Sequence, residues 1–163
     1  MKKLDNLFLQ MIKWDAGNAE LIQHFTKVHS YARLIGLGEG LDEKTQTILE
    51  AAAYVHDIGI KEGIEKYGRD DGPLQEKLGP PSARILLEKV GYSKDIIERV
   101  SFLVGHHHTY NSIEGKDYQI LVEADFLVNL FERRSDNNEI KSVRERIFKT
   151  KTGLEIFDSM FQE

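Results

Sequence analysis

The stretch AAAYVHDIGIKE, residues 51–62, joins an apolar helix to two ionisable residues. Three alanines, a tyrosine and a valine are typical of the end of a helix buried in a core, and His56 and Asp57 follow directly. A buried carboxylate without a partner is costly, so buried charges are normally paired or bound to a metal ion. The sequence therefore predicts that Asp57 has a specific partner inside the protein.

The composition narrows the class of protein. A chain of 163 residues favours one domain, residues 1–163, and its 40% hydrophobic and 30% charged content is ordinary for a globular protein. The net charge of −5 and the lack of a basic block argue against a nucleic-acid polymer as partner. The absence of cysteine excludes disulfides and thiolate metal sites. With neither a membrane-length apolar stretch nor a signal-peptide cleavage site, we expect a cytoplasmic protein with no membrane partner.

Apolar residues recur at helical spacing along the chain, and the alternation typical of strands is scarce. We therefore predict an all-α fold, a compact helical bundle on which C-terminal helices over residues 137–161 pack. Asn18 and Asp42 are expected to cap two of its helices. Residues 57–79 are rich in glycine and charge and are predicted to form a long loop, after which Pro80 or Pro81 opens the next helix.

Four ionisable residues lie on faces that should be apolar. His24 shares its helical face with apolar residues four and eight positions later, and Asp125 follows an apolar residue by four positions. His56 and Asp57 end the most apolar helix. Two imidazoles and two carboxylates from three helices are a suitable ligand set for one divalent metal ion. Such mixed nitrogen and oxygen ligands suit Mn, Fe, Zn, Co or Ni, and Mg less well.

Each of these residues also has an ordinary structural explanation. A lone histidine on an apolar face is more often a hydrogen-bonded core residue than a ligand. A lone Asp125 can pair with an arginine such as Arg33 or Arg84. The joint presence of all four residues is harder to explain in this way and favours a metal site.

Four ordered motifs resemble the HD-domain superfamily of metal-dependent phosphohydrolases. They are HFTKVHSYARLIG (24–36), AAAYVHDIG (51–59), GHHHTY (105–110) and LVEADFLVN (121–129), and the resemblance covers roughly residues 20–131. It implies a helical bundle of the HD-domain type in which His24, His56, Asp57 and Asp125 bind one metal ion. The implied activity is hydrolysis, through metal-activated water, of a phosphate ester of a nucleotide or small metabolite.

Three residues near these motifs are candidates for contacts with substrate or water. Lys61 follows His-Asp by a few positions and is the best placed cation to contact a phosphoryl group. Glu62 can orient or deprotonate the water, and Arg84 can face the phosphate. Taken one at a time, Lys61 and Glu62 are better explained as solvated loop residues. An exposed salt bridge explains Arg84 nearly as well as phosphate binding does.

The three consecutive histidines cannot all face one site, because neighbours on a helix are separated by about 100°. The apolar face of the preceding helix places His107 nearest its centre, whereas a break at Gly105 leaves His106 open. One of the two is expected to bind phosphate or act as an acid. The alternative is a solvated helix end.

Two other functions compete with the phosphohydrolase. The first is a catalytically weak, metal-containing HD module that binds a ligand or has a regulatory role, because no unambiguous acid or base stands out beyond the ligand set. The second is an HD-fold oxygenase, which needs two irons. Members of the superfamily that hold two metal ions generally carry a further histidine between the second motif and the later histidines. No histidine lies between Asp57 and His106 here, so the resemblance implies one metal ion and counts against the oxygenase. The sequence leaves the substrate, the identity of the metal and a homodimer open.

Overall fold

The computed structural model describes residues 1–162, and every regular element in that range is helical. The helices are α1 (Lys3–Trp14), α2 (Ala19–Gly38), α3 (Glu43–Val55), α4 (Ile60–Glu62), α5 (Gly72–Val90), α6 (Lys94–Val104), α7 (Lys116–Glu132), α8 (Asn137–Ile147) and α9 (Lys151–Met160). Helix α4 continues as a π-helical turn, Gly63–Tyr67. The predicted all-α fold is confirmed. None of the helices within residues 1–162 has the length and apolarity needed to cross a bilayer.

Helix α3 lies at the centre of the molecule. Its residues from 48 to 55 are all buried, and it packs against α1, α2, α6 and α7. The small side chains at 51–53 allow these neighbours to approach closely. The end of α3, which carries His56, is therefore surrounded by other helices.

The predicted caps of α2 and α3 are confirmed. The Asn18 side chain accepts a hydrogen bond of 3.1 Å from the Leu21 backbone N–H, and Asp42 accepts one of 2.8 Å from the Thr45 N–H. Such caps satisfy N–H groups that have no partner within the helix. They fix where each helix begins, and thus which residues face the core.

The prediction of a long loop over residues 57–79 is wrong. This segment contains α4, the π-helical turn and the first turns of α5, and Pro80 and Pro81 lie inside α5 instead of opening it. Helix α5 begins earlier because the Asp71 side chain caps it at the Leu74 N–H (3.2 Å) and Pro73 occupies its first turn. Packing of α5 against α6 and α1 outweighs the backbone hydrogen bonds that the internal prolines cannot donate.

The chain turns sharply after Asp57 and passes directly against α5. A Cβ atom added to Gly59 would lie 2.8 Å from the Gly79 backbone nitrogen, closer than such atoms normally approach. Only a residue without a side chain allows the two backbones this contact. The contact brings the first half of α5 next to the end of α3.

The C-terminal helices pack on α7, and α9 also contacts α2. Glu123 on α7 is fully buried and accepts hydrogen bonds from the backbone N–H groups of Lys149 (3.2 Å) and Thr150 (3.1 Å). Its other oxygen accepts a bond of 2.7 Å from the Thr150 hydroxyl. Directly after α2, Glu39 accepts bonds from the Thr152 N–H (3.1 Å) and hydroxyl (2.7 Å). Two carboxylates therefore hold the N-terminus of α9, where the helix dipole favours negative charge.

Candidate metal centre

The four predicted ligand residues converge at one buried point between α2, the end of α3 and α7. His24 Nε2 lies 3.2 Å from His56 Nε2 and 3.1 Å from Asp57 Oδ2. Asp125 Oδ1 lies 3.2 Å from His24 Nε2 and 3.3 Å from His56 Nε2. Ligand atoms about 2.1 Å from a metal ion are separated by about 3.0 Å at right angles and about 3.4 Å in a tetrahedron. The spacing of the cluster is therefore close to that of a metal site, and the four residues could hold an ion.

The outer nitrogen of each imidazole is held by a hydrogen-bond acceptor. His56 Nδ1 donates to the Ala53 carbonyl oxygen at 2.8 Å, and His24 Nδ1 donates to Glu132 Oε1 at 2.5 Å. In the neutral rings, both Nε2 lone pairs then point toward the centre of the cluster. Metal-binding histidines characteristically have such a partner on the other nitrogen, which fixes the tautomer and raises ligand basicity.

Without a bound cation the four groups pair with one another. Burial alone would lower the pKa of both imidazoles, but Asp125 and Asp57 outweigh it and raise the pKa of His24 to about 11 and that of His56 to about 10. Burial would raise the pKa of both carboxyls, but the histidines, His56 foremost, hold it below the ordinary value. Protonated histidines and a metal ion are thus both sufficient to explain the burial of Asp57.

A cavity of about 650 Å³ opens directly over the cluster. His24 and Asp57 are part of its wall, whereas His56 and Asp125 lie beneath it and do not line it. An ion at the centre would therefore have protein ligands on one side and free coordination positions on the cavity side. Catalytic metal sites keep such open positions, while structural sites are closed by protein ligands.

His107 contacts the cluster from the turn that follows α6. It is fully buried, its Nδ1 donates to the Val104 carbonyl oxygen at 2.8 Å, and its Nε2 lies 2.9 Å from Asp57 Oδ1. Asp57 therefore presents one oxygen to His107 and the other to His24. The position agrees with the predicted orientation of His107 toward the site, and its catalytic and phosphate-binding roles remain predictions.

His108 also reaches the site, although the helical geometry favoured a single histidine there. It lines the cavity, and Asp57, His107 and His108 form a second group whose ligand atoms are close enough for a metal ion. However, His108 Nε2 lies 2.8 Å from Gln75 Oε1, and the Gln75 amide donates to the Asp70 carbonyl, which orients that oxygen. His108 Nε2 therefore donates its proton to Gln75. This hydrogen bond disfavours the second group as a metal site, and the single metal ion remains a prediction.

Lys61 and Glu62 do not line the cavity. Lys61 Nζ donates to the Trp14 carbonyl oxygen at 2.8 Å and lies 5.8 Å from the centre of the Trp14 ring. Glu62 forms an ion pair of 2.8 Å with Lys66. The direction of these side chains depends on the turn after Asp57, which helical periodicity does not predict. Their proposed catalytic roles have no support from this geometry and remain predictions.

Arg84 and His106 also lie outside the cavity wall. Arg84 is exposed on α5. The His106 ring stacks on Phe102 at 4.0 Å, and its Nδ1 donates to the Phe102 carbonyl oxygen. Phosphate binding by Arg84 and catalysis by His106 likewise remain predictions.

Residues that the sequence did not single out complete the site. Arg133 is the one lysine or arginine among the cavity-lining residues in the described range, and Asn129 donates to Asp125 Oδ1 at 3.0 Å. Asn129, Glu132 and Arg133 follow Asp125 by four, seven and eight positions, so they lie on the same face of α7. Extending the periodicity around Asp125 would have found all three. Gln75 carried no such signal, because its segment was predicted to be a loop.

Glu132 gives a direct test of the centre. Replacement by alanine is expected to weaken metal binding by about 10–100-fold, because His24 loses the acceptor that fixes its tautomer. Competition with a metal chelator measures the affinity. Glu132→Gln, which keeps an acceptor oxygen, should lose less, and Glu139→Ala, at an exposed position on α8, should lose nothing. Equal affinities for Glu132→Ala and the parent protein would show that this contact does not support a metal ligand.

The fold and the site together define an all-helical protein with a buried histidine–aspartate centre that can hold a metal ion. No family model, curated protein or solved structure matches this chain. The resemblance to the HD-domain superfamily therefore rests on the ordered motifs of the sequence.

Proposed function

We propose that this protein is a metal-dependent phosphohydrolase of the HD-domain type, acting on a phosphate ester of a nucleotide or small metabolite. The observation that carries the proposal is the cluster of two imidazoles and two carboxylates. Five pairs of its potential ligand atoms lie 3.1–3.4 Å apart, and a cavity opens on one side. The mixed nitrogen and oxygen donors suit Mn, Fe, Zn, Co or Ni better than Mg.

A divalent cation at this position supplies Lewis acidity toward a phosphoryl oxygen and water activated for attack near neutral pH. Hydrolysis forms a P–O bond to the water oxygen and breaks the P–O bond to the alcohol, which leaves with a proton derived from water. The protein's own contribution is to bind and orient. His107 and Asn129 each hold one oxygen of the aspartates, and Arg133 is the cation available to phosphate oxygens.

One observation favours the catalytically weak ligand-binding module as second candidate. Lys61, Glu62 and His106 do not line the cavity. Among residues 1–162, His108 is the one histidine on its wall outside the proposed ligand set. Burial and the neighbouring His107 lower the pKa of His108 to about 4. This ring is therefore neutral at pH 7, and its Nε2 proton is already donated to Gln75.

Metal analysis and a substrate panel separate these functions. The protein is purified without a histidine tag, its metal content is measured, and phosphate mono- and diesters are tested with Mn, Fe, Zn, Co and Ni. One metal ion per chain with release of phosphate or alcohol supports the phosphohydrolase. One metal ion without turnover supports the binding module, and two irons with oxygen uptake would replace both with an oxygenase.

Arg133→Ala is expected to lower kcat/KM for a phosphate ester by about tenfold while the metal content stays unchanged. A hydrogen bond to a charged group contributes about 1.5–3 kcal/mol, and solvent exposure places Arg133 at the lower end. Steady-state kinetics with the best ester of the panel measure the effect. Arg84→Ala is the matched comparison and tests the role predicted for that residue. A loss in Arg84→Ala with none in Arg133→Ala would reverse the assignment.

A further inference from the structure

The charges on the cavity wall are unevenly distributed. Within the described part of the chain and outside the proposed metal ligands, four carboxylates line it, from Glu20, Asp70, Asp71 and Glu132, against one arginine, Arg133. A wall of this composition is unusual for a site that would accept a multiply charged anion. Like charges placed together oppose binding, while complementary charges select the partner.

Two of the four carboxylates are already compensated within the protein. Asp71 caps α5 and accepts a hydrogen bond of 2.7 Å from Arg69. Glu132 holds His24, and its second oxygen lies 3.4 Å from Lys27 Nζ. Both side chains therefore have positive partners and structural roles, and neither needs a ligand.

Glu20 and Asp70 are different. Neither side chain has an ion pair or hydrogen bond with any residue between 1 and 162. Glu20 lies one turn before His24 on α2 and thus on the metal side of that helix. Asp70 comes from the segment that leads into α5, and the Gln75 amide holds its backbone carbonyl. Two exposed carboxylates without a protein partner therefore border the same cavity from two different segments of the chain.

We propose that the substrate is the phosphate monoester of an amine-bearing alcohol, with its ammonium group bound by Glu20 and Asp70 and its phosphate bound by Arg133 at the metal centre. This assignment rests on the proposed phosphohydrolase function. A cavity of about 650 Å³ accepts a small metabolite of this kind. Nucleoside triphosphates carry several further negative charges, which the same two carboxylates repel. The alcohol product retains the amine, since only the P–O bond to the alcohol breaks.

Two matched pairs of compounds test the assignment. O-phosphoethanolamine and ethylene glycol monophosphate differ in an ammonium against a hydroxyl and are compared as substrates. Aminopropylphosphonate and propylphosphonate cannot be hydrolysed at the corresponding bond and are compared as ligands by calorimetry on metal-loaded protein. The amine-bearing member should be preferred by about tenfold in kcat/KM and in affinity, and the preference should shrink at high salt.

Variants of the two carboxylates give a second test of the substrate assignment. Glu20→Gln and Asp70→Asn should each reduce the preference for the amine by roughly two- to fivefold, and the double variant should remove it. Glu88→Gln, at an exposed position on α5, is the control and should keep the preference of the parent protein.

The outcomes separate this inference from the proposed function. Hydrolysis of both esters at equal rates, unaffected by the variants, overturns the substrate assignment and leaves the phosphohydrolase intact. Tighter binding of aminopropylphosphonate that depends on Glu20 and Asp70, without hydrolysis of any ester, supports the ligand class and rejects the catalytic function. If the protein shows no binding preference for the amine and hydrolyses no ester, both the substrate assignment and the phosphohydrolase function are rejected.

Discussion

Replacing His56 or Asp57 by alanine is expected to abolish metal retention and to destabilise the protein by about 3–5 kcal/mol. Both side chains are buried in the cluster. Either change removes one ligand, and in the metal-free state it leaves the oppositely charged partners buried and unbalanced. Metal content after gel filtration and the melting temperature measure the two effects.

A histidine outside the ligand set provides the control for this experiment. His29 forms a bond of 3.0 Å with Glu50 and stacks on Tyr54, with ring centres 4.0 Å apart. His29→Ala therefore also removes a half-buried, hydrogen-bonded imidazole but should leave the metal content unchanged. A His56 or Asp57 variant with its full metal content and an unchanged melting temperature would identify these residues as ordinary polar groups of the core.

Glu123→Ala is expected to destabilise the protein by about 3–5 kcal/mol without affecting the metal content, because it combines a cavity with lost hydrogen bonds. Burial raises the pKa of Glu123, against the hydrogen bonds from Thr150 and its neighbours that lower it. Its removal leaves the Lys149 and Thr150 N–H groups without their acceptor at the start of α9 and opens a void beneath that helix. Chemical denaturation measures the free energy of unfolding.

Glu155→Ala on the exposed face of α9 is the matched control and should change the free energy of unfolding by less than about 0.5 kcal/mol. If Glu123→Ala lost its metal while Glu155→Ala kept it, Glu123 would be linked to the metal centre instead of to α9. A loss below about 1 kcal/mol for Glu123→Ala would show that α9 is held by its apolar contacts alone.

Helical periodicity was sufficient to predict the all-α fold and to identify four candidate metal ligands, whose side chains converge in the structure. Each of these residues sits on a long apolar helix or at its end, so spacing alone reveals which face it shares. It is harder to predict from the sequence which buried acid lies at the candidate metal centre and which one contacts another helix. Glu123 is as buried as Asp125, with 0% and 3% exposure, yet it faces α9 because it lies two positions away on the helix.

The remainder of the site depends on features that are not local. The prediction that Pro80 or Pro81 opens a helix placed Gln75 in a loop, whereas α5 begins at Gly72 and includes Gln75. Lys61 is next to the site in sequence, but the turn after Asp57 directs it to the end of α1. Such directions depend on how separate helices pack, which a single sequence does not contain.

The histidine–aspartate centre resembles an ion exchanger. Two protonated imidazoles and two carboxylates carry no net charge, and neither do two neutral imidazoles, two carboxylates and one doubly charged ion. Uptake of such an ion would therefore release two protons and leave the electrical balance of the interior as it was. In either state the helices around the centre would enclose no uncompensated charge, and the ion would exchange against protons without an electrostatic cost to the fold.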